Sequence, residues 1–192
     1  MHSVQTLTFK KMWHHFRTIQ THRKWVRHYC FIAGIPWRGL VHDLSKYSPT
    51  EFLESARYWT GTDSPINAAK KDLGYSKAWL HHKGRNRHHW AYWSDNFSQG
   101  TTIYMMPKND FVELVCDFLA AGQAYNQEHF TYAGEKRWWD KDKELGNRAM
   151  HPKNKQMLDI IFHDLAEAEE RGISPETLIV GKYIQKVWDT NQ

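Results

Sequence analysis

Three serine-proline helix starts, and the lack of sustained two-residue alternation, limit the fold of this chain more than any other feature. In Ser48-Pro49-Thr50-Glu51 the serine caps, the proline takes the first helical position, and the glutamate lies three residues after the cap. Ser64-Pro65 and Ser174-Pro175 repeat the start. No stretch alternates apolar and polar residues long enough to pave a half-buried sheet. The expected fold class is therefore all-α, with no central sheet.

The remaining helices follow from periodicity and punctuation. From Leu7 to Ala33, apolar residues recur at three- and four-residue steps through Ile19, Val26, Tyr29 and Ala33, and Gly34 is a natural stop. His22 lies on that stripe, whereas His14, His15 and His28 read as lying off it. After the Gly34-Ile35-Pro36 turn, a short helix is expected from Trp37 to Lys46. The Ser48 helix runs to about Trp59, and Gly61 to Pro65 and Gly74 to Ser76 are breaks. Lys77 to about Trp93 is rich in histidine, with Gly84 weakening a continuous helix. Ser94 to Met106 reads as a loop or lid. Pro107 opens a helix with Phe111, Leu114, Val115, Phe118 and Leu119 on its apolar face. Gly134 to Met150 is charged and gives no clear pattern. Pro152 to Arg171 is an amphipathic helix with Met157, Leu158, Ile161, Leu165 and Ala168 inward, and a last helix runs from Ser174-Pro175 to about Trp188. No repeat, low-complexity tract or linker divides residues 1–192, so one helical domain is expected.

Composition narrows the function classes. The chain has 192 residues, enough to bury a real core. Its two cysteines, Cys30 and Cys116, form no CxxC pattern, which argues against a disulfide scaffold and a thiolate zinc site. They read as small core residues. No run approaches the roughly 20 apolar residues of a membrane span. A cytoplasmic protein without membrane contact is expected. The net charge of +5 suits an anionic partner, either a small phosphorylated substrate or nucleic acid. There is no Gly-rich phosphate loop, nucleophile elbow or HExxH motif.

The chemistry centres on Leu40-Val41-His42-Asp43-Leu44-Ser45-Lys46. An adjacent imidazole and carboxylate after an apolar approach suit a divalent metal, which accepts both. His22 is the first candidate partner, since a short turn can fold the second helix back against the first. Thirteen histidines are present, and four of them, His81, His82, His88 and His89, crowd one segment. Either seven-residue pair there spans two helical turns, and a break at Gly84 would draw one histidine from each side. Asp117, flanked by apolar residues on its helix, is costly to bury unless it is paired or ligating. A second dipeptide, His163-Asp164, lies off the inward face of its helix and reads as surface.

His22, then a glycine turn, then Leu40-x-His42-Asp43-x-x-Lys46 resembles the opening of the HD-domain superfamily of metal-dependent phosphohydrolases, over roughly His22 to Leu119. The resemblance implies an all-helical HD-like metal-binding core at about 7–130, with additional C-terminal helices at about 150–190. It implies that His22, His42, Asp43 and Asp117 hold a first metal. In members with two metals, two further histidines complete the second site. Here those are His82 and His89, with His81 and His88 as alternatives, and Asp43 bridging. The chain departs from the family's pattern in a short first spacing and in Ser45 where glycine is usual. The His-Asp-Leu-Ser-Lys run, the Ser-Pro-Thr-Glu-Phe start and the Trp-Leu-His-His-Lys-Gly-Arg-Asn-Arg-His-His-Trp segment also resemble an uncharacterised domain family of bacteria and phages, which carries no established activity.

On this reading the protein is a phosphohydrolase acting on a nucleotide or other phosphate ester. Asp43 and Lys46 are its catalytic candidates, and Lys46, Lys83, Arg85, Asn86 and Arg87 hold phosphate or orient substrate. One or two ions of manganese, iron or zinc are expected, because a histidine-rich set favours a transition metal over magnesium. Two other readings remain open. The same ligands suit a di-iron oxygenase of the HD type. Alternatively, Trp79, Trp90, Tyr92 and Trp93, interleaved with Arg85 and Arg87, form a nucleic-acid or partner-binding surface without catalysis. The substrate and oligomeric state stay open.

Overall fold

The apolar stripe of the first segment becomes a 24-residue helix, α1 (Phe9–Ile32), capped by the Thr8 side chain on the Lys11 amide. It buries Ile19, Val26, Tyr29 and Cys30, and also His15, His22 and Arg23. The stripe therefore extends one turn further back than its apolar members suggest. His15, expected off it, lies four residues before Ile19 on the buried face, and two turns before His22.

The structure is a computed structural model that describes residues 5–62, 64–98, 100–144 and 149–192. After α1 come α2 (Pro36–Val41), α3 (Pro49–Tyr58), α4 (Pro65–Leu73) and α5 (Lys77–Lys83). A hairpin of β1 (Ser94–Phe97) and β2 (Gly100–Ile103) precedes α6 (Lys108–Asn126), α7 (Tyr132–Glu144), α8 (Pro152–Glu170), α9 (Pro175–Val180) and α10 (Tyr183–Asn191). Among the described residues the fold is helical apart from that antiparallel hairpin, which pairs Ser94 with Ile103. None of these helices is long and apolar enough to cross a membrane.

The core lies between α1, α6 and α8. Val26, Tyr29 and Cys30 of α1 meet Phe111, Leu114, Val115 and Leu119 of α6, and Trp139 of α7 with Met157, Leu158, Ile161 and Phe162 of α8 closes the cluster. Both cysteines are free and buried in it. The α6 helix is buried along nearly its whole length, so its acids Asp110, Glu113 and Asp117 are buried too. Their spacing of three and four residues sets them on one face.

The caps agree with the sequence. Ser48 accepts from the Glu51 amide, Ser76 caps α5 from the Trp79 amide, and Gly74 ends α4 with φ +81°. Gly39 is needed for a different reason. A Cβ there would stand 2.7 Å from Cys30 Cβ and 3.1 Å from Arg27 Cα, so only glycine lets α2 lie this close to α1.

Four segments differ from expectation. The helix expected from Trp37 to Lys46 stops at Val41; Asp43 is left-handed at φ +54°, and Leu44–Tyr47 resumes as a 3-10 turn. Aspartate tolerates that conformation better than most residues. Ser94 to Met106 is not wholly loop, because Thr101, Thr102 and Ile103 pair as a strand too short for alternation to show. The last helix is two helices, broken at Lys182 with φ +59°. The charged stretch from Gly134 is helical through Glu144, and residues 145–148 lie outside the described residues.

Two expectations follow. Gly39→Ala should destabilise the fold by about 1–3 kcal/mol through overpacking against α1, read as a lower denaturant midpoint. His15 is buried with no partner for Nδ1, and burial, with the nearby Lys46 charge, lowers its pKa from 6.5 to about 4. The unfolded chain then binds the extra proton between those values, so this contribution is complete above the unfolded pKa and is lost as pH falls. The loss from pH 7 to pH 5 should be about 2 kcal/mol. His15→Leu should have a flatter midpoint between those pH values than the natural chain; equal slopes would contradict the assignment.

Candidate metal centre

The site is assembled from five places in the chain. His22 comes from α1, and His42 and Asp43 from the break that ends α2. His82 comes from α5, His88 and His89 from the turn after it, and Asp117 from α6. The left-handed turn at Asp43 points its carboxylate inward while the chain reverses into the Leu44–Tyr47 turn. Gly84 ends α5, and the chain bends so that histidines arrive from both sides of the break. Asn86 fixes that bend, donating from Nδ2 to the His82 carbonyl at 2.8 Å and to Ser45 Oγ at 2.8 Å.

Two groups of candidate ligands share Asp43, beside a third buried group of His42, His88 and Glu113 that lies on the outer, Nδ1 side of the rings. His22, His42, Asp43 and Asp117 form one, and Asp43, His82, His88 and His89 the other; within each, the ligand atoms lie within 4.8 Å of one another and every residue is buried. Asp43 belongs to both and offers one oxygen to each. Its Oδ2 is 3.1 Å from His42 Nε2 and 3.8 Å from His22 Nε2. Its Oδ1 is 3.3 Å from His82 Nε2 and 3.4 Å from His88 Nε2. Asp117 Oδ1 completes the first group at 3.0 Å from His22 Nε2 and 3.3 Å from His42 Nε2.

The outer sides of the rings are held by carboxylates. Glu113 Oε1 lies 2.9 Å from His42 Nδ1 and 3.2 Å from His88 Nδ1. Glu51 Oε2 lies 2.7 Å from His82 Nδ1, and its other oxygen 2.6 Å from His81 Nδ1. A carboxylate beside Nδ1 favours a proton there, which suits a ring that ligates through the inward Nε2, the arrangement that metal-binding histidines use. Behind Glu113, Arg38 Nη1 bridges Glu113 at 2.8 Å and Asp110 at 2.7 Å, and Arg87 Nη2 reaches Asp110 at 3.1 Å.

Most of the inward atoms lack a hydrogen bond. Nε2 of His22, His42 and His88, both ring nitrogens of His89 and both Asp43 oxygens are buried without one. The approaches of the ring Nε2 atoms to Asp43, and Lys46 Nζ at 2.6 Å from Asp43 Oδ2, bring charges to ion-pair distance of these atoms without a hydrogen bond of good geometry. Each such atom costs roughly 1–3 kcal/mol when left unsatisfied. Imidazole and carboxylate donors converging in this way fit a divalent transition metal, which would satisfy them together.

Charges inside the cluster are strongly coupled. Burial opposes ionisation of Asp43, but His42, Lys46 and His82 outweigh it and hold its carboxyl well below the usual range. Asp117 is lowered in the same way, against burial, by His22 and His42. Burial disfavours a charged His42, yet Asp43, Asp117 and Glu113 raise it well above an ordinary histidine. His89 is pushed well below by burial and by His88 and His82.

The structure thus brings together His22, His42, Asp43, Asp117, His82 and His89, and adds His88, which spacing left as an alternative. His81 is bound to Glu51 outside both groups. The histidines do not divide into one seven-residue pair on a helix, because the bend at Gly84 carries His88 and His89 in together. Of the expected phosphate-binding residues, Lys46 and Asn86 sit at the site. Arg85 is exposed, Lys83 is half-buried on the last turn of α5, and Arg87 is paired with Asp110 and lies over Trp93. Trp79 packs against His89 and Trp90, and Trp90 against Phe118, so these rings wall the site. The surface group of His163, Asp164 and Glu167 stands apart from it, with Asp164 taken by the Tyr183 hydroxyl.

Sequence reasoning missed Glu113 and Glu51. Glu113 carried the signal that exposed Asp117, an acid inside an apolar helical run. Glu51 was masked by its second role at the start of α3.

The profile of a family described as a family of unknown function, DUF5662, matches residues 11–164. The chain belongs to the DUF5662 family. The DUF5662 match spans every candidate ligand of both groups, together with Glu51 and Glu113, and continues through α7 into α8. That description assigns neither ligand nor activity. No curated protein and no solved structure matches the chain.

Metal analysis tests the centre directly. Protein purified or reconstituted with manganese, iron or zinc should carry one to two equivalents, and Asp43→Ala should lose all of it because both groups share that residue. Retention of full metal by a folded Asp43→Ala protein would contradict the arrangement.

Proposed function

We propose that this protein is a metal-dependent phosphohydrolase of the HD type, acting on a nucleotide or another small phosphate ester. The observation that carries the reading is Asp43, buried between two histidine groups with one oxygen turned to each. Such a carboxylate suits a bridge between two metal ions. The order of the ligands along the chain, His22, then His42-Asp43, then Asp117, supports it, since it is the order in the superfamily that the sequence resembles.

His22, His42, Asp43 and Asp117 would hold one ion, and Asp43, His82, His88 and His89 the other. Bound divalent ions supply Lewis acidity towards a phosphoryl oxygen and make water acidic enough to act as a nucleophile near neutral pH. The protein's own groups do the rest. Glu113 and Glu51 keep the histidine protons on the outer nitrogens. Lys46, raised above an ordinary lysine by Asp43 and Asp117 against the effect of burial, keeps its positive charge beside the bridging carboxylate. Its side chain is a quarter exposed, so it can meet an anion arriving from solvent. Trp79 and Trp90 limit water on the other side. The inner ligands carry two carboxylates against the charge of two divalent ions and Lys46. The resulting excess of positive charge favours an anionic substrate.

One observation favours a second reading. The donors include five histidine side chains, a nitrogen-rich set that also suits iron and oxygen activation. The two readings separate by requirement. Hydrolysis should proceed without oxygen and with more than one divalent metal, whereas an oxygenase needs iron and oxygen.

A panel of nucleoside mono-, di- and triphosphates and simple aryl phosphates, assayed anaerobically with manganese, should release phosphate or nucleoside. Lys46→Met should retain the metal and lose about 10²–10³-fold in kcat/KM, the scale of one lost electrostatic contact to developing charge. Failure of a fully loaded protein to hydrolyse any of the panel would overturn the phosphohydrolase reading.

A further inference from the structure

Glu113 stands in a position that no other carboxylate of the site shares. One of its oxygens, Oε1, faces His42 Nδ1 at 2.9 Å and His88 Nδ1 at 3.2 Å. His42 belongs to the group containing His22 and Asp117, and His88 to the group containing His82 and His89. The other oxygen is held by Arg38 Nη1 at 2.8 Å. Glu51, by contrast, reaches only one histidine of either group, His82 at 2.7 Å, and spends its second oxygen on His81.

We propose that Glu113 is a positioning residue common to both metal sites, orienting one histidine of each through a single oxygen, and that its loss weakens both sites whereas loss of Glu51 weakens one. The inference rests on the two-site metal reading above. The physical basis is tautomer control. Without an acceptor at Nδ1, each ring is free to move its proton to Nε2, which cannot then ligate, or to rotate away from the cluster. Since the acceptor is a single atom, the two rings lose it together. Arg38 adds a second element. It holds Glu113 and Asp110 at once, and its polar partners are these two carboxylates, so it bears on the histidines of both groups through Glu113. The place of Glu113 on α6, one helical turn before Asp117, makes the coupling rigid: the helix that supplies one ligand also supplies the group that aims two others.

The test is a manganese titration of the full chain, stripped with chelator and followed by calorimetry and by electron paramagnetic resonance of free Mn²⁺, with circular dichroism to show that each variant is folded. The natural chain should bind two equivalents. Glu51→Gln should leave one equivalent tight and weaken the other by about 10–100-fold, and Glu113→Gln should weaken both by about 10–100-fold. A folded Glu113→Gln protein that keeps either equivalent at its natural affinity would overturn the proposal, as would a Glu51→Gln protein that loses both. Should Glu113→Gln not fold, Arg38→Met decides: weakening of both equivalents supports the shared role, and weakening of one or none overturns it. A natural chain that binds no manganese, iron or zinc defeats the metal reading itself, and one that binds a single equivalent defeats the coupling while leaving that reading standing.

Discussion

The structure depends on the burial of the Asp43 carboxylate. A carboxylate that is 1% exposed is unstable by itself, and four imidazoles and an ammonium surround it. Every element that contributes one of those groups is fixed relative to the others by this requirement. The α1 helix must lie against α6 so that His22 and Asp117 meet. The α2 helix must lie against α1, which Gly39 permits. The segment after α5 must fold back far enough to deliver His88 and His89. The apolar core binds the helices together in the register that brings the polar cluster together.

A second layer makes this cluster more than a set of ion pairs. Histidines and carboxylates inside a core could satisfy one another, and the outer sides of the rings do so through Glu113 and Glu51. The inner sides do not close in this way, since Nε2 of His22, His42, His88 and His89 and both Asp43 oxygens have no hydrogen bond. A network built for stability alone would be expected to close, because half-satisfied polar groups are worse than apolar ones. The combination of a closed outer layer and an open inner one is the form taken by a ligand site.

Much of this was legible in the sequence, and the boundary of legibility has a physical reason. Helix starts at Ser48 and Ser64 and the stops at Gly34, Gly74 and Gly172 are local events, decided within four residues, and they stand where the sequence places them. His22, His42, Asp43 and Asp117 lie together as the resemblance to the HD-domain superfamily implies, and helical periodicity for His22 and the cost of burying an acid for Asp117 each mark one member within its own segment. The distribution of the histidines around Gly84 was not readable in that way. It depends on a bend whose direction is set by Asn86 bonding to Ser45, a residue 41 positions away. Glu51 escaped for the same reason. Its side chain serves α5, which lies against α3 only after folding. The break at Asp43 escaped because a left-handed aspartate has no sequence signal comparable to that of glycine.

The placement of the acids on α6 shows how one helix organises the whole. Asp110, Glu113 and Asp117 occupy a single face, and each performs a different task set by its height along the axis. Asp117 faces the inner nitrogens. Glu113, one turn earlier, faces the outer nitrogens. Asp110, a further turn towards the N-terminus, meets only arginines. The three carboxylates are thus graded along the helix, from Asp117 beside the inner ring nitrogens, through Glu113 beside the outer ones, to Asp110 beside Arg38 and Arg87. Moving that face by one residue would turn all three carboxylates away together, so the apolar face of Phe111, Leu114, Val115 and Phe118, by fixing the rotation of α6 in the core, also fixes the chemistry.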